Sequence, residues 1–164
     1  MLRENSELLA MLLSEDNALC VGTVNDALYR AIGQLNAAFV QRLLRCGRAN
    51  PNHDDGLPLG SAIESDSIEV RQHLFWFPHR LTFLQIFKML LEHGADINKQ
   101  TMEGTPLFYA VSRGKLEFVK LCLESGQCDV NLKHDGESPL MRAATNQHID
   151  ICKVLLNHPR MIGR

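Results

Sequence analysis

Apolar residues recur along this chain in a four-slot pattern. Ala37, Val40, Leu43 and Leu44 fill it once; Leu84, Phe87, Leu90 and Leu91 fill it again, then Leu116, Val119, Cys122 and Leu123, and last Ile149, Cys152, Leu155 and Leu156. The i, i+3, i+6, i+7 spacing brings each set to one face of an α-helix. The segments therefore predict amphipathic helices with one stripe to bury. Ahead of the last two stands a second signal: Thr105-Pro106-Leu107-Phe108-Tyr109-Ala110 returns thirty-three residues later as Ser138-Pro139-Leu140-Met141-Arg142-Ala143. Thr105 and Ser138 can accept a hydrogen bond from an orphan amide of a first helical turn, and Pro106 and Pro139 preset that turn. The four-slot helices are followed by a glycine and an Asp-apolar-Asn closing, in Gly94-Ala95-Asp96-Ile97-Asn98 and Gly126-Gln127-Cys128-Asp129-Val130-Asn131, and more loosely in Gly47-Arg48-Ala49-Asn50-Pro51-Asn52. Glycine there suits the left-handed residue that ends a helix. A fixed period of this length implies stacked copies of one unit.

The succession of Thr-Pro-Leu, Ala, a helix ending in Leu-Leu and then Gly-Ala-Asp-apolar-Asn resembles the ankyrin repeat over roughly residues 24–158. The resemblance implies an all-α solenoid of helix-turn-helix units joined by short β-hairpin loops, with about four repeats and an N-terminal capping helix. The expected division is a cap over 1–20, then repeats over 24–52, 55–98, 101–131 and 134–164, the last including a tail. Ser6 to Leu13 would form the cap, laying Leu8, Leu9, Leu12 and Leu13 on the first repeat. At the other end Pro159 stands in the slot of Gly126, so the tail either folds back or belongs to a longer array.

Two repeats depart from the pattern. In the first, Asp26-Ala27 is expected to cap the leading helix without a proline. In the second, Leu57-Pro58 cannot cap, a loss of about 1 kcal/mol, and Gly60 and Ser61 are poor helix formers. The second repeat is accordingly the expected soft point. It also carries an insertion: aligning Leu59 to Ala62 on Leu107 to Ala110 and Leu84 to Leu91 on Leu116 to Leu123 leaves sixteen extra residues, near 67–82. Asp66 and Glu69 have capping-box spacing, Ile68, Leu74 and Phe75 keep an apolar face, and Pro78 ends the segment before a further helix near Leu81. The aromatic run Phe75-Trp76-Phe77 exceeds what a monomer leaves exposed, so it packs back as a buttress or meets a partner.

Charge and cysteine narrow the classes. A net charge of -2 gives no long-range attraction to nucleic acid or an anionic membrane. Arg42, Arg45 and Arg48 read as a solvated helix face. Five cysteines without a Cys-x-x-Cys pair fit reduced core residues of an intracellular protein of cytoplasm or nucleus. The apolar run Leu8 to Leu13 is too short and too acidic at its start for a signal peptide, and no stretch reaches membrane-spanning length. Phosphate-binding glycine loops, nucleophile elbows and zinc-protease motifs are absent, so no enzyme and no cofactor are expected. Cys122, Cys128 and His134 are evenly spaced, but the repeat sends the first into a core and the last to a tip, which argues against a metal site.

The resemblance implies a protein-protein interaction module, or a regulatory segment of a larger enzyme or signalling protein. By position, the sites left free for a partner are Arg30, Gln34, Ser61, Glu64, Tyr109, Ser112, Arg113, Arg142, Thr145 and Asn146 on the first helices. The tips His53 to Asp55, Lys99 to Glu103 (with Met102) and Lys133 to Glu137 (with His134) join them, with Phe75, Trp76 and Phe77 of the insertion. Tyr109, Arg113 and Arg142, rimmed by Lys99 and Lys133, make a mildly basic strip suited to an acidic or phosphorylated segment. The family also implies hydroxylation at Asn98 or Asn131, which compete for the simpler role of holding the turn by side-chain hydrogen bonds.

Overall fold

A computed structural model describes residues 21–64 and 79–160. The expected cap, the aromatic run Phe75 to Phe77 and the last four residues lie outside the described residues. Within them the chain forms eight helices: α1 (Val21–Gly33), α2 (Ala37–Arg45), α3 (His53–Glu64), α4 (His79–Glu92), α5 (Pro106–Ser112), α6 (Leu116–Glu124), α7 (Pro139–Thr145) and α8 (Ile149–Leu156). They pack as pairs, α1 with α2, α3 with α4, α5 with α6 and α7 with α8. The pairs stack so that α1, α3, α5 and α7 make one row and α2, α4, α6 and α8 the other. The all-α repeat solenoid is thus the observed architecture.

The four-slot stripes build the core between layers. Val40, Leu43, Phe87, Leu90, Val119, Cys122 and Leu155 have almost no exposed surface, as have Leu28, Leu59, Leu107 and Ala143 from the first-helix row. Phe87 of α4 meets Phe118 of α6 edge to face, with centroids 5.4 Å apart, so consecutive second helices lock through rings as well as aliphatic chains.

Helix starts follow the sequence in the later repeats and depart from it in the earlier ones. Thr105 Oγ1 accepts the Phe108 amide at 3.1 Å and Ser138 Oγ accepts the Met141 amide at 3.2 Å, each with proline at the first helical position. Asp26, by contrast, caps nothing: α1 already begins at Val21 and Asp26 is an exposed residue within it. Its buried neighbour Asn25 takes the polar task, accepting the Asn50 amide at 2.9 Å. The second repeat also starts early. The expected His53-Asp54-Asp55 tip falls at the start of α3, with Asp54 left-handed (φ 47°), and Pro58 falls inside the helix rather than at its start. The other two tips close as single antiparallel bridges, Thr101 with Gly104 and His134 with Glu137, and not as extended hairpin strands.

Left-handed residues turn the chain at the tips (Asp54, Gly104, Asp135 and Gly136) and at two kinds of helix end. Gly47, Gly94 and Gly126, after the second helices, have φ between 68° and 86°, as their positions predict. Between the helices of a pair the left-handed residue is Leu35 (φ 56°), Gly114 (φ 67°) or Gln147 (φ 58°). There the Lys115 amide reaches back to Ala110 O and the Gly114 amide to Val111 O, an arrangement that satisfies the last carbonyls of α5.

Candidate functional site

The closing asparagines fasten each layer to the next. Asn98 Oδ1 accepts the Asp129 amide at 2.8 Å while its Nδ2 donates to Gln127 O at 2.8 Å, both in the following repeat. Asn52 does the same one layer earlier, accepting from the Asp96 amide at 2.6 Å and donating to Gly94 O at 2.9 Å. Asn131 donates to Arg160 O at 3.0 Å, and Arg160 Nη1 returns to Gly126 O, so the chain through Arg160 lies against the preceding layer. The residue two places before each asparagine, Asn50, Asp96 or Asp129, accepts that asparagine's own amide at 2.9–3.0 Å. Aspartate folds the turn and asparagine ties it onward.

With those residues committed to the frame, the tips and the first-helix row still present side chains outward. Met102 at the apex of one tip is 96% exposed. Arg30, Gln34, Arg113, Lys133 and Asn146 are exposed and Lys99 is half-exposed. Four of the expected contact residues are less free than their positions imply, and Ser61 is one of them, a buried residue. Tyr109 is buried and carries the Arg113 guanidinium over its ring at 5.2 Å. Arg142 faces Glu137, Nε to Oε2 at 3.0 Å, and lies 5.2 Å from the Phe108 centroid. His134 is no projecting tip residue: its ring rests edge-on against Phe108, centroids 5.1 Å apart. The expected basic strip is therefore partly neutralised by its own neighbours. Asn146, though exposed, donates to Ser112 O at 3.1 Å across the first-helix row.

Position within the repeat does not reveal a notch between α3 and α5. Its cavity of about 70 Å³ is lined by Gly60, Ser61, Glu64, Glu103, Pro106 and Tyr109, among others. A signal for it exists in the alignment: Gly60 and Ser61 stand in the slots that hold Phe108 and Tyr109 in the third repeat and Met141 and Arg142 in the fourth. Two bulky side chains are missing, and a β-carbon built on Gly60 would meet no atom within 4 Å. The environment is electronegative. Burial raises the Tyr109 phenol above its usual pKa, and Glu64 and Glu103 push it further up, against the opposing pull of Arg113. A second, more open groove of about 330 Å³ runs along the second-helix row between α4 and α6, past Lys88, Glu92, Ile97, Leu121 and Glu124.

Among the described residues no three His, Cys, Asp or Glu side chains are grouped to hold a metal ion. Cys122 and Cys128 are buried, and their thiols are held protonated: burial pushes Cys128 up to about 12 and Cys122 well above its ordinary value. No helix among the described residues is long and apolar enough to cross a membrane.

Parts of this chain are similar in sequence to parts of known proteins. Over 74 residues, 44% of this chain, the sequence is 38% identical to alpha-latrocrustotoxin-Lt1a of Latrodectus tredecimguttatus. It is 45% identical over 53 residues, 32% of the chain, to palmitoyltransferase akr1 of Schizosaccharomyces pombe. Over 83 residues, 49% of the chain, it is 36% identical to putative ankyrin repeat protein FPV244 of fowlpox virus. These stretches make up 5%, 8% and 12% of the three relatives, so the chain matches a small part of each. A family model for three copies of the ankyrin repeat matches residues 79–162. With layers tied by Asn98 and Asn131, capped by Thr105-Pro106 and Ser138-Pro139 and turned by Gly94 and Gly126, this chain belongs to the ankyrin repeat family.

Proposed function

We propose that this chain is a non-catalytic protein-protein interaction module, gripping its partner with the tips and the first-helix row. Ankyrin repeats are generally modules of this kind, and one observation supports the reading most: the residues that recur are committed to the frame, while a large apolar side chain, Met102, is left almost wholly in solvent at a tip apex. Isolated exposed apolar residues are ordinary, but the tip also carries Glu103 and stands beside Lys99, an arrangement in which an apolar anchor has a polar rim. Arg30, Gln34, Arg113, Lys133 and Asn146 are the first-helix and tip positions with side chains in reach of a partner. For an acidic or phosphorylated segment the exposed cations are Lys133 and Arg113, the latter held over the Tyr109 ring, whereas Arg142 faces Glu137.

The test compares cross-linked partners of the wild-type chain with those of Met102→Asp/Arg113→Glu. A partner captured by the wild type and lost from the variant, at unchanged melting temperature, is expected; identical partner sets would remove this reading. For the insertion, a partner-facing role of Phe75, Trp76 and Phe77 requires Trp76→Ala to weaken binding without lowering the melting temperature. Hydroxylation of Asn98 or Asn131 would show as one added oxygen on the corresponding peptide. Both side chains have structural work without it.

A role as the regulatory segment of a larger enzyme or signalling protein is the second reading. One relative is a palmitoyltransferase of which the matching stretch forms 8%. In that case too the segment would act by binding rather than by chemistry of its own.

A further inference from the structure

The notch between α3 and α5 differs from the rest of the first-helix row in the sign of its charge. Glu64 and Glu103 stand exposed at its margin, and neither has an ion-pair partner among the described residues. The cation beside them, Arg113, is engaged with the Tyr109 ring. Ser61 contributes the second observation. Its side chain lines the cavity, the residue is 8% exposed, and its hydroxyl makes no hydrogen bond among the described residues. A hydroxyl lining a recess that a ligand would close off needs a polar group presented to it there, since sealing it without one costs more than a typical bond contributes. Pro106 and the Tyr109 ring supply apolar walls, and Gly60 leaves the entrance open.

Ligand classes can be sorted against these walls. An anionic group would meet two carboxylates in the lining. A purely apolar side chain would leave the Ser61 hydroxyl dry and unpaired. A cation carrying several N–H donors meets all the requirements, donating to Ser61 Oγ and to the two carboxylates while its stem lies on Pro106 and Tyr109. Arginine suits the site better than lysine because its planar guanidinium can rest on an apolar wall while donating at its edge. The opening of about 70 Å³ has room for several water molecules or one side-chain tip, not for a folded element.

We infer that this notch is a receptor for one cationic side chain, an arginine by preference, presented by a protein partner. The inference rests on the interaction-module reading and adds to it the chemistry of one anchor. It also changes the expected partner: a segment carrying only acidic or phosphorylated residues would leave the notch empty, whereas one with an arginine could fill it and still place acidic neighbours near Arg113.

The probe is Nα-acetyl-arginine methylamide, titrated into the isotope-labelled full chain and followed by amide chemical shifts, with the lysine and citrulline analogues in parallel arms. Saturable shifts confined to Gly60, Ser61, Gly104 and Tyr109 are expected for arginine, with weaker binding for lysine. Citrulline keeps the shape and loses the charge, and should bind about tenfold more weakly or worse. Glu64→Gln/Glu103→Gln should lose a similar factor. Gly60→Leu restores the bulk that the other repeats carry in this slot, so it should block the shifts while the melting temperature holds or rises. Equal binding of citrulline and arginine, scattered shifts, or undiminished binding by both variants would each overturn the inference. If arginine leaves these amides unmoved while Met102→Asp/Arg113→Glu still loses a partner, the receptor falls and the module reading stands. If arginine fills the notch while no partner proves sensitive to the tips, the receptor stands and the grip assigned to the tips falls.

Discussion

Asn98 shows how much of the stack hangs on single side chains. Its amide replaces backbone partners that would otherwise be left open at two points of the next repeat, accepting from Asp129 N and donating to Gln127 O. Asn98→Ala removes both bonds and should destabilise the chain by about 1–3 kcal/mol, read as a lower midpoint in urea. Asn98→Asp keeps the acceptor and should cost less. The sequence made the asparagine legible as a turn residue through the Asp-apolar-Asn spacing. It did not show that the amide reaches across to another layer, because the partners are main-chain atoms and leave no mark in residue identity. The buried thiols offer a second test at this scale. Cys128 has its pKa raised from 9.0 to about 12, and Cys122 and Tyr109 are raised as well. Unfolding frees these groups to ionise at their ordinary values, so the unfolded state loses protons first as pH rises. The stability these groups contribute is full below about pH 9 and should fall between about pH 9 and pH 12. Cys128→Ala should flatten that decline in melting temperature against pH. In the native chain iodoacetamide should modify the half-buried Cys46 and Cys152 well before Cys122 and Cys128.

At the scale of the element, local chemistry decides which turns could be read. The glycines after the second helices announced themselves by their side-chain-free identity. The turns inside each pair did not, since Leu35 and Gln147 hold the same left-handed geometry as Gly114. A non-glycine residue in that region costs about 1–2 kcal/mol, and glycine costs about 0.5–1 kcal/mol in chain entropy. Gln147 is exposed, so Gln147→Gly should raise stability by about 0.5–1 kcal/mol, seen as a higher thermal midpoint. Gly104 is the opposite case. Its φ is 92°, and an added β-carbon would approach Phe108 at 2.9 Å and the His134 ring at 3.0 Å. Gly104→Ala should therefore destabilise more than Gly126→Ala, where the backbone is also left-handed but the surrounding space is open. The two helix starts that the sequence misplaced, at Asp26 and at Leu57-Pro58, fail for one reason. Both align with Thr105-Pro106, yet α1 and α3 begin several residues earlier and need no cap at those positions.

Across the whole molecule, stability is a matter of neighbours. Each pair touches the pairs on either side, through the α1, α3, α5, α7 row and the α2, α4, α6, α8 row. The sequence period made this arrangement legible because a repeated stripe can be buried only against a copy of itself. The notch was harder to see, since it arises from what Gly60 and Ser61 lack when set beside Phe108 and Tyr109, and a missing side chain registers only once two repeats are laid in space. In such an array a lesion at one end should stay there, because each layer contributes its own stability plus one interface. Leu155 of α8 is fully buried, and Leu155→Ala should cost about 2–5 kcal/mol. Native-state hydrogen exchange should then quicken in α7 and α8 while α5 and α6 keep most of their protection. Leu107→Ala strikes a residue of equal burial in an inner layer, with neighbours on both sides, and should quicken exchange in the layers flanking α5 as well. If Leu155→Ala instead lowered protection evenly from α1 to α8, the four pairs would be unfolding as one cooperative body, and the nearest-neighbour account of this stack would have to be abandoned.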